Sequence, residues 1–327
     1  MRAVRIREFG EPIDVLTTER VSVPEAKAGQ VQVRVLAAAL NFPDVLLCRG
    51  AYQVAPDLPF TPGVELCGEI VALGDGVTGW HVGDRVLGGA VLPDGGFAEQ
   101  AIMTGSDIYS APRVLGDAEC ASLQFAYQTG WVALHRRAVI RPGETLLVHA
   151  AAGGVGSAAV QLGKAAGAFV IGVVGGEDKA AVARVLGADV VIDRTVESFI
   201  DVVNEITSGR GADVVYDPVG GDSYRGSTKC IAFEGRIILV GFAGGEIQSA
   251  TLNHPLIKNY SIVGLHLGLY AKKNPAALRD CHEELVGLAD LGLIQPLISE
   301  RLSLETIADG LQRLARGSTV GRLVFVP

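Results

Sequence analysis

A chain of 327 residues is about twice the ~150 residues typical of one domain, so two domains, each burying its own core, are expected. It is 49% hydrophobic and 20% charged, with 42 glycines spread along its length, which describes a folded α/β protein and excludes a disordered or fibrous one. A net charge of -8 without any Lys/Arg cluster argues against nucleic acid as a partner, because a phosphate backbone is held by clustered cations.

In chain order, Met1 to Arg7 alternates charged with small or apolar residues, as a half-exposed strand does, and has no apolar signal-peptide segment. No apolar run approaches the ~18 residues that a bilayer span requires, so a cytoplasmic location and no membrane partner are expected. The first ~120 residues carry short β-branched runs, Val31 to Val35 and Glu69 to Leu73, with turn signals at Gly74-Asp75-Gly76, Gly83-Asp84 and Asp94-Gly95-Gly96. Closely spaced short strands of this kind predict a barrel-like domain over residues 1–122.

From about Ser122 strand and helix patterns alternate. Thr145 to Ala150 is a continuous apolar strand, a glycine-rich turn follows, and Ala158 to Ala166 is helical. Strands at Phe169 to Val174, Asp189 to Ile192, Asp213 to Tyr216 and Arg236 to Val240 alternate with helices at Asp178 to Leu186 and Val196 to Thr207. That rhythm predicts a doubly wound parallel sheet of Rossmann type over 123–268. Ser261 to Leu265 reads as a short strand late in that sheet. The tail, 269–327, holds a helix through Leu288, another at Glu305 to Ala315 and a strand at Arg322 to Val326; it is too short to fold alone and is expected to return to the first domain. Five cysteines far apart, an odd number, suit buried reduced thiols rather than disulfides or a paired metal site.

The turn after the first strand of this sheet, Ala151-Ala152-Gly153-Gly154-Val155-Gly156, matches G-x-G-x-x-G with Ala151 in place of the first glycine. Gly153 lets the backbone approach a pyrophosphate, Gly156 lets the next helix pack on the strand, and the free N–H groups at the helix start meet the negative charge. A glycine turn alone can arise from packing, but one that follows a buried strand, opens a helix and begins a run of βα units points to a dinucleotide. An NAD site places an acid at the end of the second strand for the ribose 2′-hydroxyl. Here that strand ends Val173-Val174-Gly175-Gly176 with no acid at its tip, and Lys179 follows one turn later, which favours NADPH. Glu177 and Asp178 would oppose a 2′-phosphate unless they face solvent, and Lys179 could equally be an ordinary solvated helix lysine.

Asn41-Phe42-Pro43-Asp44, Gly50-Ala51-Tyr52, Pro62-Gly63-Val64-Glu65 with Cys67 to Val71, Val82 to Val86, Gly95 to Glu99, the glycine turn and Tyr216 to Gly220 run the length of the chain. In this combination the sequence resembles the zinc-independent quinone oxidoreductase branch of the medium-chain dehydrogenase/reductase superfamily. The resemblance implies a GroES-like catalytic domain built from the N-terminal region and the C-terminal tail, a Rossmann domain between them, and an active site in the cleft. The zinc relatives carry Cys where this chain has Asn41 and His where it has Val64, and their four-cysteine lobe is missing, so no metal is expected. Without a Lewis acid, hydride transfer to a quinone or conjugated enone is favoured over alcohol oxidation.

By position in the family, Asn41 lies beside the nicotinamide ribose and substrate, though it could instead simply shape a turn. Asp44 holds its loop, and Tyr52 is a pocket tyrosine that either donates a proton or only packs. The cofactor would be contacted by Thr129, Ala152, Gly153, Gly154, Val155, Gly156, Gly175, Lys179, Gly241, Phe242, Leu265, Leu267 and, near the phosphates, Arg322. Some relatives hold the 2′-phosphate with a Tyr just after the third strand, where this chain has Asp193. The loop Gln53 to Leu58 would shape the acceptor pocket. Alternatives are an enoyl-thioester or alkenal reductase, for which Tyr52 would be essential, and a non-catalytic NADPH-binding protein. The edge strand at Ser261 to Leu265 would pair with a second copy, so a homodimer is expected.

Overall fold

The computed structural model describes residues 1–53 and 56–327; Val54 and Ala55, in the loop expected to shape the acceptor pocket, lie outside the described residues. In chain order the strands are β1 Arg2–Ile6, β2 Leu16–Arg20, β3 Gln30–Ala39, β4 Glu65–Leu73, β5 Arg85–Ala90, β6 Gln100–Ser110, β7 Thr145–His149, β8 Phe169–Val174, β9 Val190–Asp193, β10 Ala212–Asp217, β11 Ile231–Leu239, β12 Ser261–Gly264, β13 Ile298–Leu302 and β14 Arg322–Phe325. They divide between two compact units, 1–124 with 295–327, and 125–294.

In the first unit the strand order is β13-β14-β3-β4-β5-β6, and β3 also pairs with β6, which closes the antiparallel part into a barrel. The closure follows from alternation along β3: Val31, Val33 and Val35 are buried, whereas Arg34 between them is exposed. Phe60, Leu66, Ile70, Leu87, Phe97 and Met103 fill the interior. The last strand β14 lies antiparallel to β3, with Val324 opposite Ala39, so the end of the chain is built into this unit.

The second unit is a six-stranded parallel sheet in the order β12-β11-β10-β7-β8-β9. Winding starts at β7, runs outward through β8 and β9, then resumes on the other side at β10, so the topological switch falls between β7 and β10. All five residues of β7 are buried, as its unbroken apolar run implies.

The expected return to the first unit at residue 269 is corrected. The helix Pro275–Asp290 stays with the parallel sheet, and the chain changes unit only at 294/295. The reason is burial: Leu278, Cys281 and Leu285 are covered on one helix face, and Trp131 Nε1 donates to Glu284 at 2.7 Å. The earlier boundary falls at 124/125 where the sequence suggested 122/123. All five cysteines are buried and unpaired by disulfides.

Candidate dinucleotide site and the buried polar cluster

Most of the residues expected to meet a cofactor follow the C-terminal ends of parallel strands. After β7 the chain turns at Ala150, which adopts φ 51°, and Gly153 N donates back to Ala150 O at 2.8 Å. The helix Gly154–Ala165 then begins, with Gly153 as its N-cap and no acidic residue in its first turn, so its N-terminal end favours an anion. A Cβ on Gly156 would stand 2.1 Å from Ala150 O, a backbone atom that cannot retreat. Glycine is therefore the residue that lets this helix lie against β7. Ala152 is buried and Gly154 and Val155 are half-buried in the same turn.

Gly175 follows β8, Gly241 and Phe242 follow β11, and Leu265 and Leu267 follow β12. The loop after β11 is stitched to the one after β10: Ala243 N donates to Pro218 O (3.0 Å) and Gly244 N to Val219 O (2.9 Å). Asp217, at the end of β10, holds that loop through Oδ1, which accepts from Val219 N and Gly220 N at 2.9 Å each. Thr129 is half-buried on the helix Gln124–Trp131, which approaches the glycine-turn helix closely because a Cβ on Gly130 would come within 2.7 Å of Leu162 Cδ1.

Around the tip of β8 the structure revises the expected charges. Asp193 is tied to the backbone here: its Oδ1 accepts from Gly176 N, Thr195 N and Thr195 Oγ1, and these donors hold the carboxylate below its ordinary range. The next residue, Arg194, was missed in the sequence. Its guanidinium lies over Gly175, with Nη2 3.2 Å from where a Cβ would stand. Lys179 is close enough that, after burial, the Arg194 charge is what holds its ammonium below the usual lysine value. Glu177 and Asp178 are exposed, and Glu177 bonds Arg184 at 2.6 Å. No local pattern in the sequence marks Arg194, because its place beside Gly175 is set by the pairing of β9 with β8.

In the first unit, Asn41 is buried at the start of the helix Phe42–Cys48. Its Nδ2 donates to Glu65 Oε2 (2.9 Å) and Ala39 O (3.2 Å), and its Oδ1 accepts from Arg322 Nη2 at 2.9 Å. Arg322 Nη2 also reaches Glu65 Oε2 at 2.7 Å. Arg322, expected near the phosphates, has a side chain only 6% exposed and is bonded to the buried Glu65 carboxylate. Asp44 fixes the loop as expected, with Oδ2 accepting from Asn41 N and Oδ1 from Gly63 N and Val64 N. Burial pushes the Asp44 carboxyl up to about 7 against the pull of those three N–H groups. Tyr52 is half-buried, and burial, reinforced by the Asp44 charge, raises its phenol above the ordinary value, so the hydroxyl stays protonated near neutrality.

A glycine turn at the switch point of a doubly wound sheet, with Lys179 and Arg194 beside the tip of β8, defines a dinucleotide-binding α/β unit. Comparison with known proteins agrees. The model of the alcohol dehydrogenase GroES-like domain matches residues 27–116 and that of the zinc-binding dehydrogenases matches 154–283. The chain is 38% identical to quinone oxidoreductase-like protein 2 homolog of Nematostella vectensis over 99% of its own length and 88% of that protein's. It is 30% identical to human quinone oxidoreductase, over 100% and 98%. The solved structure of Escherichia coli quinone oxidoreductase complexed with NADPH superposes with a TM-score of 0.92 at 27% identity, covering all of both chains. The chain belongs to the medium-chain dehydrogenase/reductase superfamily, in its quinone oxidoreductase-like branch, and is an oxidoreductase.

Proposed function

We propose that this oxidoreductase transfers hydride from NADPH to a quinone or conjugated enone without a metal. The observation that carries the reading is the Asn41–Glu65–Arg322 cluster. Where zinc relatives hold ligands, this chain has an amide whose two N–H bonds are used and a carboxylate already bound to a guanidinium. Such a set supports charge balance without an ion. Acceptors that spread the incoming charge over a conjugated system suit it better than a simple carbonyl.

The Lys179–Arg194 pair supports NADPH, as does the NADPH in the Escherichia coli structure. NADPH would supply the hydride, and the chain's residues orient it. The helix start after Gly153 would take the pyrophosphate, and Gly175, Lys179 and Arg194 the 2′-phosphate. Asn41 has no N–H to spare and its Oδ1 already accepts from Arg322, so its role is to hold that guanidinium and Glu65 in place. Proton donation falls to Tyr52, which burial keeps as a phenol. The unpaired buried cysteines suit a reducing, cytosolic setting; among the described residues no helix is long and apolar enough to cross a membrane.

We further infer a homodimer through β12. It is the edge of the parallel sheet, and Ile247, Leu252, Leu256 and Ile257 just before it are exposed.

The test is a panel of small quinones, enals and crotonyl-CoA, each assayed with NADPH and NADH. Fastest turnover is expected for quinones with NADPH, with Tyr52→Phe retaining part of it. Crotonyl-CoA turnover far above that of quinones, collapsing in Tyr52→Phe, would instead identify an enoyl-thioester reductase. Tight NADPH binding without oxidation of NADPH across the panel would leave a non-catalytic binding protein.

A further inference from the structure

At the other end of the parallel strands from the glycine turn lies a cavity of about 570 Å³, within the size range of small-molecule sites. It is lined at the N-terminal ends of β10 and β11 by Arg210, Asp213, Lys229, Phe233 and Lys258, among others.

Its charge runs against that of the whole chain. Asp213 is fully used: Oδ1 takes Arg210 at 2.5 Å and Oδ2 takes Thr145 N at 2.7 Å. Lys258 Nζ is anchored on the carbonyls of Thr228 (2.8 Å) and Lys229 (3.4 Å), which hold the ammonium in place without neutralising it. Lys229 makes no ion pair among the described residues. Three cations against one satisfied carboxylate leave a positive lining in a chain of net charge -8. Phe233 in the same wall is 70% exposed, a ring of low solubility with no covering side chain to explain it.

We propose that this cavity is a binding site for a small aromatic anion, a flat ring bearing a carboxylate, sulfonate or phosphate, separate from the dinucleotide site. The ring would pack on Phe233, and the anionic group would meet Lys229 and Lys258. Ring burial and charge pairing are both needed, because surface cations alone hold an anion only weakly in water.

The probe is anilinonaphthalene sulfonate, titrated by fluorescence with and without saturating NADPH so that dye in the dinucleotide site is displaced. One saturable site is expected to persist with NADPH. Lys229→Glu should weaken it at least tenfold and Phe233→Ala several-fold, with NADPH oxidation unchanged in both. Phenyl phosphate should displace the dye far better than inorganic phosphate. Both residues are exposed, and melting curves check that the variants fold. Dye binding that disappears with NADPH, is indifferent to both substitutions, or is displaced equally by inorganic phosphate would overturn the proposal. So would sedimentation showing that Phe233→Ala separates subunits, which would make the cavity a contact between copies.

Discussion

Lys179 and Arg194 carry the 2′-phosphate reading, and their substitution tests it. Each removes a charge-assisted contact of about 1.5–3 kcal/mol to an anion present only in NADPH. Lys179→Ala and Arg194→Ala should each raise the apparent KM for NADPH about tenfold or more and leave that for NADH nearly unchanged; equal effects on both cofactors would remove them from the site. Lys179 was legible in the sequence because a missing acid and a following lysine form a local pattern. Arg194 was not, because its relation to Gly175 crosses from β9 to β8.

His149 gives the residue-scale pH prediction. Its Nε2 lies 2.8 Å from Ser227 Oγ, which itself donates to Ser223 O, so the ring must donate through Nε2. Burial holds its pKa down at about 4, although the nearby Asp217 pulls the other way. The unfolded chain binds a proton below about 6.5 that the folded chain refuses until about 4. This contribution is therefore complete above pH 6.5 and lost as pH falls through that window, about 3 kcal/mol in all. Asp44 acts oppositely: its raised pKa gives stability at low pH that is lost as pH rises from 3.8 to about 7. Urea unfolding of wild type and His149→Gln across pH 4 to 7 separates the two, and the variant should show a shallower fall in stability on acidification.

At the scale of elements, the glycine turn joins local sequence to tertiary contact. Gly156→Ala drives a methyl against a carbonyl 2.1 Å away, so a loss of about 3 kcal/mol in thermal stability is expected, together with loss of NADPH binding by fluorescence titration. Gly153→Ala meets only Ala150 O at 3.2 Å. It should leave stability nearly intact while weakening NADPH, because a side chain there obstructs the pyrophosphate rather than the strand. A β7 buried throughout, a turn and then a helix were all readable as periodicity. The helix Pro275–Asp290 was readable as a helix but not as part of the second unit, since an amphipathic face does not name the surface that buries it.

For the whole molecule, the assembly prediction is the direct one. An open parallel sheet ending at β12, preceded by exposed Leu252, Leu256 and Ile257, should pair with a second copy. Light scattering at micromolar concentration is expected to give twice the 34.1 kDa chain mass, and Leu256→Asp with Ile257→Asp should shift it to the monomer. A wild-type monomer would refute the pairing.

Reading the residues alone was enough for the two-unit α/β plan and the parallel sheet with its glycine turn, because strand period and glycine placement are local properties. The partners of Arg322 and Arg194 emerge from the folded chain alone. One is drawn inward by the buried Glu65 carboxylate and the other is laid over Gly175. A cation's role is set by the charge and space around it, and the fold brings those together from distant parts of the chain.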